Sequence, residues 1–177
     1  MKSKIISISA VSAGFVAIFL LLGSYIEIAD LFTTVVSSVF VTLPLYYKSY
    51  KGCFLAYVAG GLIAFICSGF NLISLVFPAY FAFFGVYPII KCLMKEKSVN
   101  KYVGFILGLI WFVAISLGLY YYYVFFMGAV LEGLPQWVTN YLEFIIIFIA
   151  IIFYFIYDRF IIVMRRFTEY YLNKIIK

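Results

Sequence analysis

Any chemistry in this chain has to come from a few polar residues set among long apolar runs. Glu143 lies about one and a half turns beyond Trp137, on a stretch otherwise apolar as far as Tyr157, and Asn140 precedes it by one turn on nearly the same face. Ionisable groups at such depth in a membrane are expensive, so they face a cavity, a partner or the headgroups. Asn71, Gln136, Glu132 and the run Tyr120-Tyr121-Tyr122-Tyr123 fall at similar depth on neighbouring stretches. Asn71, Tyr122, Tyr123, Glu132, Trp137, Asn140 and Glu143 together have the makeup of a small-molecule site, with aromatic walls, two amides and carboxylates. The same residues admit a plainer reading, in which Glu143 sits at headgroup level and the tyrosines form an interfacial belt.

Several chemistries lack their residues. The chain contains no histidine, which removes the Ser-His-Asp triad, the common zinc sites and histidine ligation of haem. No phosphate-binding loop is present, so nucleotide hydrolysis is not expected of this chain, and no pair of intramembrane aspartates suggests an aspartyl protease. Cys53, Cys67 and Cys92 have no C-x-x-C spacing and read as small core residues, not as metal ligands or disulfides. The expectation is a protein that is not an enzyme and carries no metal or cofactor. A net charge of +6 is of the sign that nucleic acid attracts, but the basic residues form no continuous patch interleaved with exposed aromatics.

The elements that must position these residues are membrane helices. Of 177 residues, 67% are hydrophobic and 11% charged, an excess that one globular core with a polar shell does not hide. Charge and turn signals separate six apolar stretches: Ile5–Ile26, Leu31–Tyr47, Gly52–Gly69, Asn71–Met94, Tyr102–Leu131 and Gln136–Met164. The first follows Lys2 and Lys4 like a secretory leader, but no small-residue cleavage site ends it, so a retained helix is expected. Pro78 and Pro88 fall inside the fourth and predict a kink or break. All 13 lysines and arginines lie before span one, between two and three, between four and five, or at the end of span six and beyond. With both termini inside, every one is cytoplasmic, as topology sorting requires. The expected fold is an all-α membrane protein, a single bundle of about six transmembrane helices over 1–177, N-in and C-in. Residues 158–177, rich in aromatic and basic side chains, are expected to extend as a cytoplasmic interfacial helix against anionic lipid. Asp158 is expected to pair with a lysine of another inner connection in a structural role.

Helix faces carry a second signal. Ala10, Ala13, Gly14 and Ala17 share one face of span one, Gly52, Ala56, Gly60, Ala64 and Ser68 recur four apart in span three, and Gly104-x-x-x-Gly108 opens span five. Small residues let helix backbones approach where lipid gives no hydrophobic drive to associate. On span three the expected use is packing within the bundle; on span one, packing and partner docking both stand. Span five runs for 30 uncharged residues, about 45 Å of straight helix against a hydrocarbon core of ~30 Å. Its last part, Val124–Leu131, then folds back as a lid, tilts, or protrudes toward a partner.

A chain of 177 residues with six spans, both ends inside and an Ala13-x-x-x-Ala17 face on its first helix resembles the substrate-binding S component of energy-coupling factor (ECF) transporters. The resemblance covers the whole chain in topology and only the first helix in motif. It implies a subunit that captures a vitamin or metal ion from outside and docks on a transmembrane coupling subunit driven by two ATPases. Ala10, Ala13, Gly14 and Ala17 would form the docking face. No substrate signature of the thiamine, riboflavin, folate or biotin type is present, and the acidic outer connections favour a cationic or amine-bearing ligand. The stretch Phe84-Gly85-Val86-Tyr87-Pro88-Ile89-Ile90-Lys91 is also similar to the F-G-x-Y-P-x-x-K segment of a set of small uncharacterised bacterial membrane proteins. The rival reading is a non-catalytic structural subunit of a cell-envelope or cell-shape complex, needing helix faces but no pocket. A stand-alone channel is disfavoured, since no polar stripe runs through the bundle.

Overall fold

The computed structural model describes residues 2–71, 74–127 and 136–175, and all regular structure among them is helical. The elements are α1 (Lys2–Tyr25), α2 (Asp30–Phe40), α3 (Tyr50–Cys67), α4 (Val76–Ala79), α5 (Tyr87–Glu96), α6 (Lys101–Met127) and α7 (Gln136–Ile175). Six segments are long and apolar enough to cross a membrane: Ser3–Tyr25, Asp30–Tyr47, Tyr50–Cys67, Val76–Glu96, Lys101–Phe126 and Tyr141–Thr168. They correspond to the six expected stretches, with ends shifted by a few residues. Val124–Met127, expected as part of a lid, tilt or protrusion, continues α6 as helix, and the rest of that stretch lies outside the described residues. From Gln136 to Ile175, α7 is one helix of 40 residues with no break at Asp158, twice the length that ~30 Å of hydrocarbon requires.

Close helix approach explains the packing of the first three spans. Ala56 and Ala64 are almost fully buried, and Gly52 and Gly60 are buried with them. A Cβ at Gly60 would lie 2.6 Å from a methyl of Val16 and 2.9 Å from the Ala13 carbonyl, so only glycine lets α3 lie against α1. The span-three stripe is therefore used inside the bundle. On α2, the buried hydroxyls of Thr33, Thr34, Ser37 and Ser38 each donate to a carbonyl three or four residues back. That pairing satisfies them without water and lets a polar helix sit in an apolar bundle. Ser12 of α1 donates to the Phe40 carbonyl at 2.6 Å, and Phe15 and Phe19 stack on the Phe40 ring.

The second span ends in a 3₁₀ turn, Leu43–Tyr47, carrying Pro44. Lys48 then takes a left-handed conformation, and the Ser49 hydroxyl caps α3 by accepting the Gly52 N–H at 3.1 Å. The fourth span is in three parts: α4, a π-helical stretch Tyr80–Phe84, and α5. Across the junction Gly85 N–H bonds to the Tyr80 carbonyl at 2.9 Å, which leaves the Phe81 carbonyl without its usual donor. Tyr57 of α3 supplies one, its hydroxyl donating to Phe81 O at 2.9 Å. Pro88 has no N–H to give Phe84 O, and the Tyr157 hydroxyl of α7 donates there at 3.4 Å. Two tyrosines from other helices thus meet the hydrogen-bonding demand that a break inside a membrane creates.

Phe83 is the hub of the core. Its ring lies 4.7 Å from those of Tyr87 and Phe112 and 5.8 Å from that of Tyr157, all four being buried. This aromatic layer divides the bundle between two ends. One carries Asp30 and the starts of α2 and α4; the other carries Asp158, Lys91 and the starts of α3 and α6.

Candidate functional site

Toward the Asp30 end, α2, α4, α6 and α7 border a half-open cavity of about 360 Å³, at the small end of the range for ligand sites. Its floor is Phe83, Phe84 and Phe112, its walls are aliphatic side chains such as Val76, Leu119 and Ile146, and Tyr120 and Tyr123 lie along α6. The polar groups are few. Among the described residues Asp30 contributes the one charged side chain of the lining, which also includes Thr34 and Ser116. Asp30 starts α2 and accepts the Leu31 N–H, a position where the helix dipole favours a carboxylate. Thr34 donates to the Asp30 carbonyl at 2.6 Å and Ser116 to the Phe112 carbonyl at 2.9 Å. Both hydroxyl protons are thereby committed to the residue's own helix.

Of the described residues that the sequence singles out for a pocket, Tyr123 lines this cavity. Glu143 is exposed and accepts the hydroxyl of Tyr121, also exposed, between α7 and α6. Asn71 accepts the Ser74 N–H at 3.3 Å, within its own loop. Tyr122 packs against Phe126, with ring centroids 4.7 Å apart. Glu132 lies outside the described residues. Trp137 and Asn140 fall in the first turns of α7, and their side chains are likewise outside what is described. The structure thus places Glu143 with Tyr121 and Asn71 with Ser74. Asp30, Thr34 and Ser116 are gathered instead, around an aromatic floor. No local signal in the sequence marked Thr34 or Ser116.

The proposed docking face of α1 is divided. Ala13 and Ala17 are buried in the bundle, whereas Ala10 and Gly14 are exposed, with open space where a Cβ of Gly14 would be.

At the Asp158 end polar side chains bond to one another. Asp158 is buried, forms an ion pair with Lys91 of α5 and accepts the Tyr87 hydroxyl. The Tyr154 hydroxyl lies 2.8 Å from that of Tyr87 and 3.0 Å from the Phe105 carbonyl. Gly108 opens the face of α6 that Tyr154 enters, where a Cβ would collide with it. Next to these, the Tyr157 hydroxyl shares its one proton between the Ser38 hydroxyl at 3.1 Å and the Phe84 carbonyl at 3.4 Å, and Arg165 donates to the Cys92 sulfur at 2.8 Å. Asp158 does pair with a lysine, and the pair ties α5 to α7. Among the described residues no three His, Cys, Asp or Glu side chains converge to hold a metal.

No protein-family model, curated protein or solved structure matches the chain. Its function is argued from its own geometry.

Proposed function

We propose that this chain is a membrane-embedded subunit that binds a small molecule, serving as the substrate-capturing component of an ECF-type uptake system in a bacterial plasma membrane. In this reading both termini are cytoplasmic and the Asp30 end faces out, supported by the placement of all 13 basic residues at one set of connections and helix ends. The fourth helix is kinked at its π-helical stretch, which hollows the bundle on the outer side. The chain performs no catalysis. Transport is driven by a coupling subunit with ATPases, and the exposed edge of α1 at Ala10 and Gly14 offers the approach, backed by the buried Ala13 and Ala17.

The observation that carries this reading is the cavity of about 360 Å³ above the aromatic layer. Small residues such as Ala79 and Ser116 along it leave room between the helices, where a bundle that only had to keep its shape would pack larger side chains. A vitamin-like or cationic micronutrient is the class of ligand considered. The alternative, a structural subunit of a cell-envelope or cell-shape complex, draws support from Glu143 and Asn71, which are engaged outside the cavity.

Native mass spectrometry of the protein purified gently from its own host tests the choice. The expected result is a stoichiometric small molecule that Ala79→Phe, which fills the cavity, excludes, together with co-purifying coupling and ATPase subunits. An empty protein accompanied by envelope-synthesis or cytoskeletal proteins would overturn the proposal and leave the structural reading.

A further inference from the structure

We infer that one side of α7, from Arg159 to Lys174, is a contact surface for anionic phospholipid headgroups at the Asp158 end of the bundle. The inference is independent of what the cavity holds. Helix register is the first argument. Arg159, Val163, Arg166, Tyr170 and Lys174 recur at steps of three and four residues, so they form one stripe less than about a quarter turn wide. All five are exposed. Nearer the start of α7 the same side carries Tyr141, Phe148, Ile152 and Ile156, exposed as well. Exposed apolar residues within a membrane span face hydrocarbon. About 20 residues suffice to cross, which from Tyr141 brings the helix to Arg159 at the far edge of the hydrocarbon. Because α7 continues to Ile175 without a break, its lipid-facing side runs on into the headgroup layer, and the basic residues emerge on that side.

Availability is the second argument. Asp158, the chain neighbour of Arg159, pairs with Lys91 instead. Arg165 donates inward to the Cys92 sulfur, whereas the adjacent Arg166 is exposed. Among the described residues, Arg159, Arg166 and Lys174 have no hydrogen-bond or ion-pair partner. Glu169, the one acidic residue after Asp158, falls outside the stripe by residue count. Three cations in line on a lipid-facing side call for anions held in the membrane, which lipid phosphates supply. Guanidinium groups match phosphate with two parallel hydrogen bonds, and a tyrosine such as Tyr170 suits headgroup depth. An acidic protein would offer the same charge, but the stripe continues a side already committed to lipid.

Native mass spectrometry of the purified full chain tests the surface, with the protein released from micelles carrying equimolar phosphatidylglycerol and phosphatidylcholine of the same acyl chains. The wild type should retain phosphatidylglycerol over phosphatidylcholine at least about fivefold, the effect of one basic residue at a charged membrane surface. The triple variant Arg159→Gln, Arg166→Gln, Lys174→Gln should retain the two equally and keep its unfolding midpoint, because none of the three bonds to the rest of the bundle. Arg159→Lys with Arg166→Lys should keep the preference. A charge-matched control at other exposed positions, Lys51→Gln, Lys95→Gln, Lys97→Gln, should keep it too. Equal retention by the wild type overturns the inference and leaves the stripe to an acidic protein partner. A preference that survives the triple variant overturns it as well. So does a control that loses as much as the triple variant, since the attraction would then belong to the overall charge of that end.

Discussion

At the Asp158 end, polar side chains find one another: Lys91 with Asp158, Tyr87 with Asp158 and Tyr154, Tyr157 with Ser38. At the Asp30 end, the polar groups lining the cavity turn to their own helix and leave the space between helices unfilled. Both ends meet the same demand, since a buried polar group without a partner is costly in an apolar medium. They differ in where the partner lies. Bonds between helices lock α7 to α5 and α2, whereas bonds within a helix satisfy the group and tie nothing across the cavity. The first arrangement suits a fixed frame and the second a site that must admit a ligand. The aromatic layer around Phe83 belongs to both, closing the frame and flooring the cavity.

Breaking the frame should have the largest effect. Asp158→Ala leaves Lys91 without its anion and should cost about 3 kcal/mol, the low end for a buried pair because the Lys91 side chain is 27% exposed. The unfolding midpoint in mild detergent would show it. The double variant Asp158→Leu with Lys91→Met should recover most of that loss, since no unpaired charge then remains. A double variant as unstable as the single one would mean that the tyrosines, not the ion pair, hold this end. Tyr157→Phe removes the donor to Ser38 and Phe84 while keeping the ring, for about 1 kcal/mol, typical of a single interhelical hydrogen bond in membranes. Its midpoint should fall between those of Asp158→Ala and the wild type.

At the cavity end, stability should barely respond while binding does. Ala79→Phe should leave the midpoint unchanged or raise it, as cavity-filling changes do, and should abolish ligand retention. A large fall in its midpoint would mean that the space is smaller in the membrane than it is here. The smallest effect is expected of Glu143→Gln. Glu143 lies outside the cavity with the exposed Tyr121, so neither the midpoint nor ligand retention should change. Loss of binding in that variant would move the site to the outer ends of α6 and α7.

Much of the architecture was legible from residues alone. The stretches around Leu31–Tyr47 and Gly52–Gly69 were separable because Lys48 and Lys51 stand between them, and a charged turn between apolar runs is a local signal. The packing use of Gly60 and Ala64 was legible because a stripe of small residues marks a face. The site was not. Nothing local tells Tyr121, which looks outward to Glu143, from Tyr123, which lines the cavity two residues on. Glu143 was conspicuous because a charge in an apolar run stands out, and that signal reports depth rather than direction.

What the amino-acid sequence determined by itself was the number of apolar spans, their approximate ends and the one-sided distribution of basic residues. Each depends on length and composition along the chain, which a bilayer reads one segment at a time. Only the tertiary structure decided which side of each helix faces inward. α6 and α7 are apolar nearly all round, so no pattern fixes their rotation and neighbouring helices must. That rotation joins Lys91 to Asp158, 67 residues apart, turns Glu143 out of the cavity, and leaves Asp30 at the rim of an aromatic-floored space.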